Sequence, residues 1–119
     1  MIIAAGYNTI VLTALRQYFE DTNIAIRLFD LTVTQAIEEF SRIEPDVKCC
    51  LLDVSYSDSR FEENWTKLQK SLNGLPTVVL HNYKNSSAKT LTKNIRAMEL
   101  LSIHADPDEI VNAVKKIIR

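Results

Sequence analysis

Short apolar runs alternate along this chain with segments whose apolar residues recur at helical spacing, and the alternation repeats five times. The first run is Ile2 to Ala5. Asn8 then offers an N-cap to a helix with Val11, Ala14, Leu15, Tyr18 and Phe19 on its inner face. A second strand is predicted over Ile24–Phe29. Thr32 or Thr34 starts the next helix, whose inner stripe is Val33, Ala36, Ile37 and Phe40, and Pro45 ends that segment. The third strand, Val47–Val54, is apolar almost throughout, as a strand covered on both faces of a parallel sheet must be. A polar loop, Ser55–Ser59, follows it. Phe61, Trp65, Leu68 and Leu72 then mark a helix closed by Asn73-Gly74. The fourth strand is Thr77–Leu80. A fourth helix is predicted from Ser86 to Met98 on Ala88, Leu91, Ile95 and Met98, and a fifth strand over Glu99–Ile103. Asp106 caps the last helix, with Pro107 at its first position and Ile110, Val114 and Ile117 inward.

Five strand–helix units predict a doubly wound α/β fold with a parallel sheet between helices, in strand order 2-1-3-4-5. Ligands of such folds sit at the carboxyl ends of the strands. That singles out Ala5-Gly6-Tyr7, Asp53, His81-Asn82 and Ile103-His104.

Composition narrows the classes. At 119 residues the chain suits one domain over residues 1–119. A formal net charge of −1 argues against a nucleic-acid platform, so no direct nucleic-acid contact is expected. No apolar run is long enough for a membrane span, and the start lacks the basic residues of a signal peptide. The two cysteines, Cys49 and Cys50, are adjacent in a strand and point to opposite faces. They are read as unpaired core residues in a reducing, cytoplasmic protein. Gly6 and Gly74 stand apart, so there is no glycine-rich phosphate loop and no cofactor is expected.

The stretches IIAAGYNTIVLTALRQYFE, CCLLDVS, PTVVLHN and LLSIHADPDEIVNAVKKIIR follow the order and spacing of a receiver domain over the whole chain. The chain resembles a response-regulator receiver, and its tail resembles regulators of the LuxR/NarL type. The resemblance implies a phosphoacceptor at Asp53. It also implies an acidic pair at Ala5 and Gly6, a hydroxyl at His81, a lysine at Ile103 and an aromatic switch residue at Leu100. Of these positions only Asp53 keeps the expected residue. Phosphoryl transfer rests on cations that offset charge on the transferred oxygens. Mg²⁺ prefers oxygen ligands, usually carboxylates among them. Ala5 and Gly6 offer no side-chain oxygen and Ile103 no charge. The resemblance therefore implies a degenerate receiver, a pseudo-receiver that is not an enzyme. Such a regulator module precedes a DNA-binding output domain beyond Arg119 or acts alone on a partner.

Asp53 then reads either as a relic carboxylate bonded to loop amides or water, or as a group that contacts a ligand or is phosphorylated in another way. Tyr7, Asn8, Asn82 and His104 could line a small-molecule pocket beside it, or simply fill the space. Two imidazoles and a carboxylate can hold zinc, but no ligand spacing supports this and no metal is expected. Ser55, Ser57 and Ser59 have no evident base. Lys89, Lys93 and Arg96 share one helix face, and Asp106, Asp108 and Glu109 open the last helix. These basic and acidic faces suit a homodimer or a heterologous regulator partner. Ile10 and Leu12 add apolar positions to the first helix, some of which must face outward.

Overall fold

The computed structural model describes residues 1–40, 42, 46–55, 59–82 and 95–118, with the backbone alone for 59–65. Five strands form one parallel sheet: β1 (Ile2–Gly6), β2 (Ile26–Asp30), β3 (Cys49–Asp53), β4 (Thr77–His81) and β5 (Ala97–Ser102). Their order is β2-β1-β3-β4-β5, as the alternation predicts. The helices among the described residues are α1 (Thr9–Tyr18), α2 (Thr34–Phe40), α3 (Ser59–Leu72) and α4 (Pro107–Ile118). None is long and apolar enough to cross a membrane.

The period-two alternation of each strand divides the core between two faces. Ile3, Ala5, Cys50, Leu52 and Val79 pack beneath α2 and α3, with Ile37, Phe40, Leu68 and Leu72. Ile2, Ala4, Cys49, Leu51, Val78 and Leu80 pack beneath α1 and α4, with Leu12, Leu15, Phe19, Ile110 and Val114. Cys49 and Cys50 are free, buried and on opposite faces, as expected. Burial pushes the Cys49 thiol up to about 12 and that of Cys50 well above its ordinary value. Gly74, at φ +80, takes the left-handed position after α3 that favours glycine.

Several boundaries differ from those predicted. Met98 lies in β5, not at the end of a helix. Thr77 pairs with Ala97 and Val78 with Glu99, so Met98 is the extra residue of a register shift. Sheet pairing overrides its helical spacing from Ile95. Val33 is exposed, because it sits in the turn that Asp30 closes before α2 begins. Leu12 is buried, whereas Ile10 faces outward at 80% exposure. The predicted fourth helix up to residue 94, with Lys89 and Lys93, lies outside the described residues, as do Pro45, residues 56–58 and the side chains of Phe61 and Trp65.

Candidate functional site

The carboxyl ends of β1, β3, β4 and β5 converge where the fold type places its chemistry. Asp53 ends β3, pairs with Leu80 of β4, and is only 1% exposed. Its Oδ1 accepts two hydrogen bonds from Ser55, one from the backbone N–H at 2.9 Å and one from the hydroxyl at 2.5 Å. Its Oδ2 is buried with no hydrogen-bond partner among the described residues. Burial pushes the Asp53 carboxyl above its ordinary range, and the two Ser55 donors pull it partly back.

Gly6, at the end of β1, forms the wall beside it. A Cβ at Gly6 would lie 2.9 Å from the Asp53 Cβ and 3.4 Å from Oδ2. The position therefore carries no side chain, and none fits without movement. Ala5 is fully buried on the α2/α3 face. Ile103 follows β5 half-buried against the α1/α4 core, and its N–H donates to the His81 carbonyl at 2.8 Å. His81 and Asn82 are half-buried at the end of β4.

Two expected pocket residues are engaged elsewhere. Tyr7 continues the odd-numbered face of β1 and packs into the α2/α3 core at 4% exposure. The Asn8 carboxamide oxygen caps α1, accepting from Ile10 N–H at 2.9 Å and Val11 N–H at 3.3 Å. His104 is exposed in the turn after β5, where its N–H donates to the Ser102 hydroxyl. Arg96 is exposed at the foot of β5, while Asp106, Asp108 and Glu109 are exposed beyond its far end. Six strand residues, about 20 Å, lie between these two groups.

The sequence reading passed over Asp30. It ends β2 directly opposite Gly6, and its Oδ1 accepts from the Thr32 N–H at 3.0 Å and hydroxyl at 2.6 Å. Asp30-Leu31-Thr32 thus repeats the turn of Asp53-Val54-Ser55, an acid followed two residues later by a hydroxyl at a strand end. That repeated spacing was the available signal.

No protein-family model matches the sequence, and no curated protein does. Solved structures match the fold. A response regulator receiver domain protein (CheY-like) from Methanospirillum hungatei JF-1 superposes with a TM-score of 0.74 at 16% identity, covering 97% of this chain and 90% of that one. This is the receiver fold. A putative pilus assembly-related protein from Burkholderia pseudomallei K96243 superposes with a TM-score of 0.68 at 14% identity, covering 98% and 87%. Identities this low speak for the fold alone.

The Mg²⁺ that the receiver fold implies does not fit these residues. Mg²⁺ keeps several waters and takes one or two carboxylates. Asp53 is almost wholly shut from water, and Gly6 stands against its uncommitted oxygen. Among the described residues no group of three His, Cys, Asp or Glu side chains could hold a metal.

Proposed function

We propose that this chain is a phosphorylation-independent pseudo-receiver: a regulatory module without catalytic activity that acts through protein contacts. The observation that carries the reading is the surroundings of Asp53. Its one uncommitted oxygen faces a glycine, with no carboxylate at Ala5 or Gly6 and an aliphatic side chain at Ile103. A transferred phosphoryl group there would meet neither of the counter-charges that phosphoryl chemistry relies on.

The module pairs with a second copy or with a heterologous regulator. Arg96 at one end of β5 and the acids at the start of α4 suit an antiparallel two-fold arrangement, which sets each basic end against the partner's acidic end. The setting is a cytoplasmic LuxR/NarL-type transcription regulator whose output domain contacts the DNA.

The test is incubation with a small phosphodonor such as phosphoramidate, with and without Mg²⁺, read by intact mass. No phosphoryl adduct is expected. Stoichiometric, Mg²⁺-dependent labelling that disappears in Asp53→Ala would overturn the reading. A monomer mass by sedimentation that does not change with concentration would remove the homodimer.

A further inference from the structure

α3 gives way to β4 through an exposed turn, Leu72-Asn73-Gly74-Leu75. Leu72 is fully buried, Leu75 packs half-buried against the α2/α3 core, and the Leu75 N–H donates to the Leu72 carbonyl at 3.0 Å. Asn73 and Gly74 lie between these two anchors and face solvent. We propose that the Asn73-Gly74 link is a site of spontaneous deamidation and backbone isomerisation through a cyclic imide.

The reaction needs only water. The Gly74 nitrogen gives its proton to solvent base and attacks the side-chain carbonyl carbon of Asn73. The new C–N bond closes a succinimide ring, the bond from that carbon to Nδ2 breaks, and the amide leaves as ammonia. Water then opens the ring on one side or the other. Cleavage between the Gly74 nitrogen and the side-chain carbon leaves an aspartyl residue. Cleavage between that nitrogen and the main-chain carbon leaves an isoaspartyl residue, with the chain running through the former side chain.

The turn leaves the attacking group free. Among the described residues neither the Gly74 N–H nor the Asn73 carboxamide makes a hydrogen bond, and Gly74 is held only through its carbonyl, which accepts from Arg96 at 3.5 Å. Gly74 has no Cβ to obstruct ring closure, and the space where one would stand is open to 4 Å. The other asparagines with described side chains are guarded. Asn8 commits its carboxamide oxygen to the cap of α1 and precedes a β-branched residue, Thr9. Asn23 precedes Ile24, whose N–H donates to the Thr22 hydroxyl at 3.2 Å. Asn82 is half-buried and precedes the bulky Tyr83. Asn112 lies inside α4, where the ladder takes the next N–H.

The two products differ in what they do to the fold. Both place a carboxylate at the C-terminus of α3, the negative end of the helix dipole. The isoaspartyl form also lengthens the main chain by one carbon between Leu72 and Leu75, so the hydrogen bond that closes the turn cannot keep its geometry. It is therefore the less stable of the two.

The experiment incubates the purified chain at mildly alkaline pH and physiological temperature, then maps tryptic peptides by mass against an unincubated control. The peptide Ser71–Lys84 holds both Asn73 and Asn82, so its fragment ions assign the change internally. The mass gain of amide to acid is expected at Asn73 ahead of every other asparagine, with an isoaspartyl share that a protein isoaspartyl methyltransferase labels. Asn73→Gln, an exposed change, should remove the label, and Gly74→Ala should slow its appearance. Asn73→Asp, which carries the charge on an ordinary backbone, should unfold at a higher urea concentration than the isolated isoaspartyl form. No gain at Asn73 in the folded chain, earlier gain at another asparagine, an aspartyl product alone, or an unchanged rate in Gly74→Ala would overturn the proposal.

Discussion

Restoring a side chain at Gly6 is the most direct probe of the strand-end geometry. A methyl there would sit 2.9 Å from the Asp53 Cβ, about 0.6 Å inside the nearest comfortable carbon–carbon contact. Neither strand can readily give way. The Gly6 carbonyl accepts from Leu31 N–H at 2.8 Å, Gly6 pairs with Asp30 on its other side, and Ala4 and Ala5 are fully buried. Gly6→Ala should therefore cost about 1–3 kcal/mol, the range for overpacked cores. Gly6→Asp, which sets a second acid beside Asp53, adds like-charge repulsion. Two carboxylates about 4 Å apart repel by roughly 1 kcal/mol in bulk-like surroundings and about 4 at the effective dielectric of a protein. The expected loss at neutral pH is thus about 2–7 kcal/mol. Urea denaturation followed by circular dichroism reads this directly, since a loss of about 2 kcal/mol moves the midpoint by roughly 1 M. The difference between the Asp and Ala variants should shrink in acid, where the carboxyls are neutral. Wild-type stability in Gly6→Ala, or Mg²⁺-dependent stabilisation of Gly6→Asp, would refute the reasoning.

Asp53→Asn should stabilise the protein at neutral pH. Because the folded-state pKa of Asp53 is raised, its contribution to stability is fully present below the unfolded carboxylate range and lost as pH rises through the folded value. The advantage of the Asn variant should therefore vanish as pH falls below that range, and a pH-independent difference in urea midpoint would contradict this. Leu12→Ala should cost about 2–5 kcal/mol as a buried large-to-small change. Ile10→Ala, on the outer face of the same helix, should stay within about 0.5 kcal/mol; comparable losses would show that α1 is seated differently. The Cys49 thiol, buried and pushed up to about 12, should be alkylated by iodoacetamide no faster than the chain unfolds. Rapid labelling under native conditions would refute its burial.

The features most legible in the sequence were those that one element decides alone. Cys49-Cys50-Leu51-Leu52 reads as a strand covered on both faces because no other element tolerates that pattern as well, and it is fully buried. Asp106-Pro107 marks the start of α4 because proline is suited to the first helical turn, and α4 begins at Pro107. Legibility fell where a neighbour decides. Leu12 turns inward because α1 packs against α4 as well as the sheet, which widens its buried arc beyond the stripe that spacing suggests. Met98 continues a helical period on paper, and only the pairing of Ala97 with Thr77 draws it into β5. Tyr7 looks like a pocket residue by its place after the strand, yet strand alternation carries it to the face of Ile3 and Ala5. That Ala5 and Gly6 offer no side-chain oxygen at the end of β1 was readable residue by residue. The contact between Gly6 and Asp53 was not, because it depends on how closely β1 and β3 approach.

The twin turns at Asp30 and Asp53 give the Asp53 carboxylate a structural role at the end of β3. In each, one carboxylate oxygen accepts both the N–H and the hydroxyl of the residue two positions on, closing the chain as it leaves the sheet. The ends of β2 and β3 are shaped alike, on either side of the Gly6 end of β1. A phosphoacceptor needs a carboxylate as nucleophile, whereas a turn needs only an oxygen that accepts. Asparagine meets the second requirement and fails the first. On this reasoning the negative charge of Asp53 is incidental to its role in the fold. Its burial beside Gly6 is then tolerated at a cost in stability.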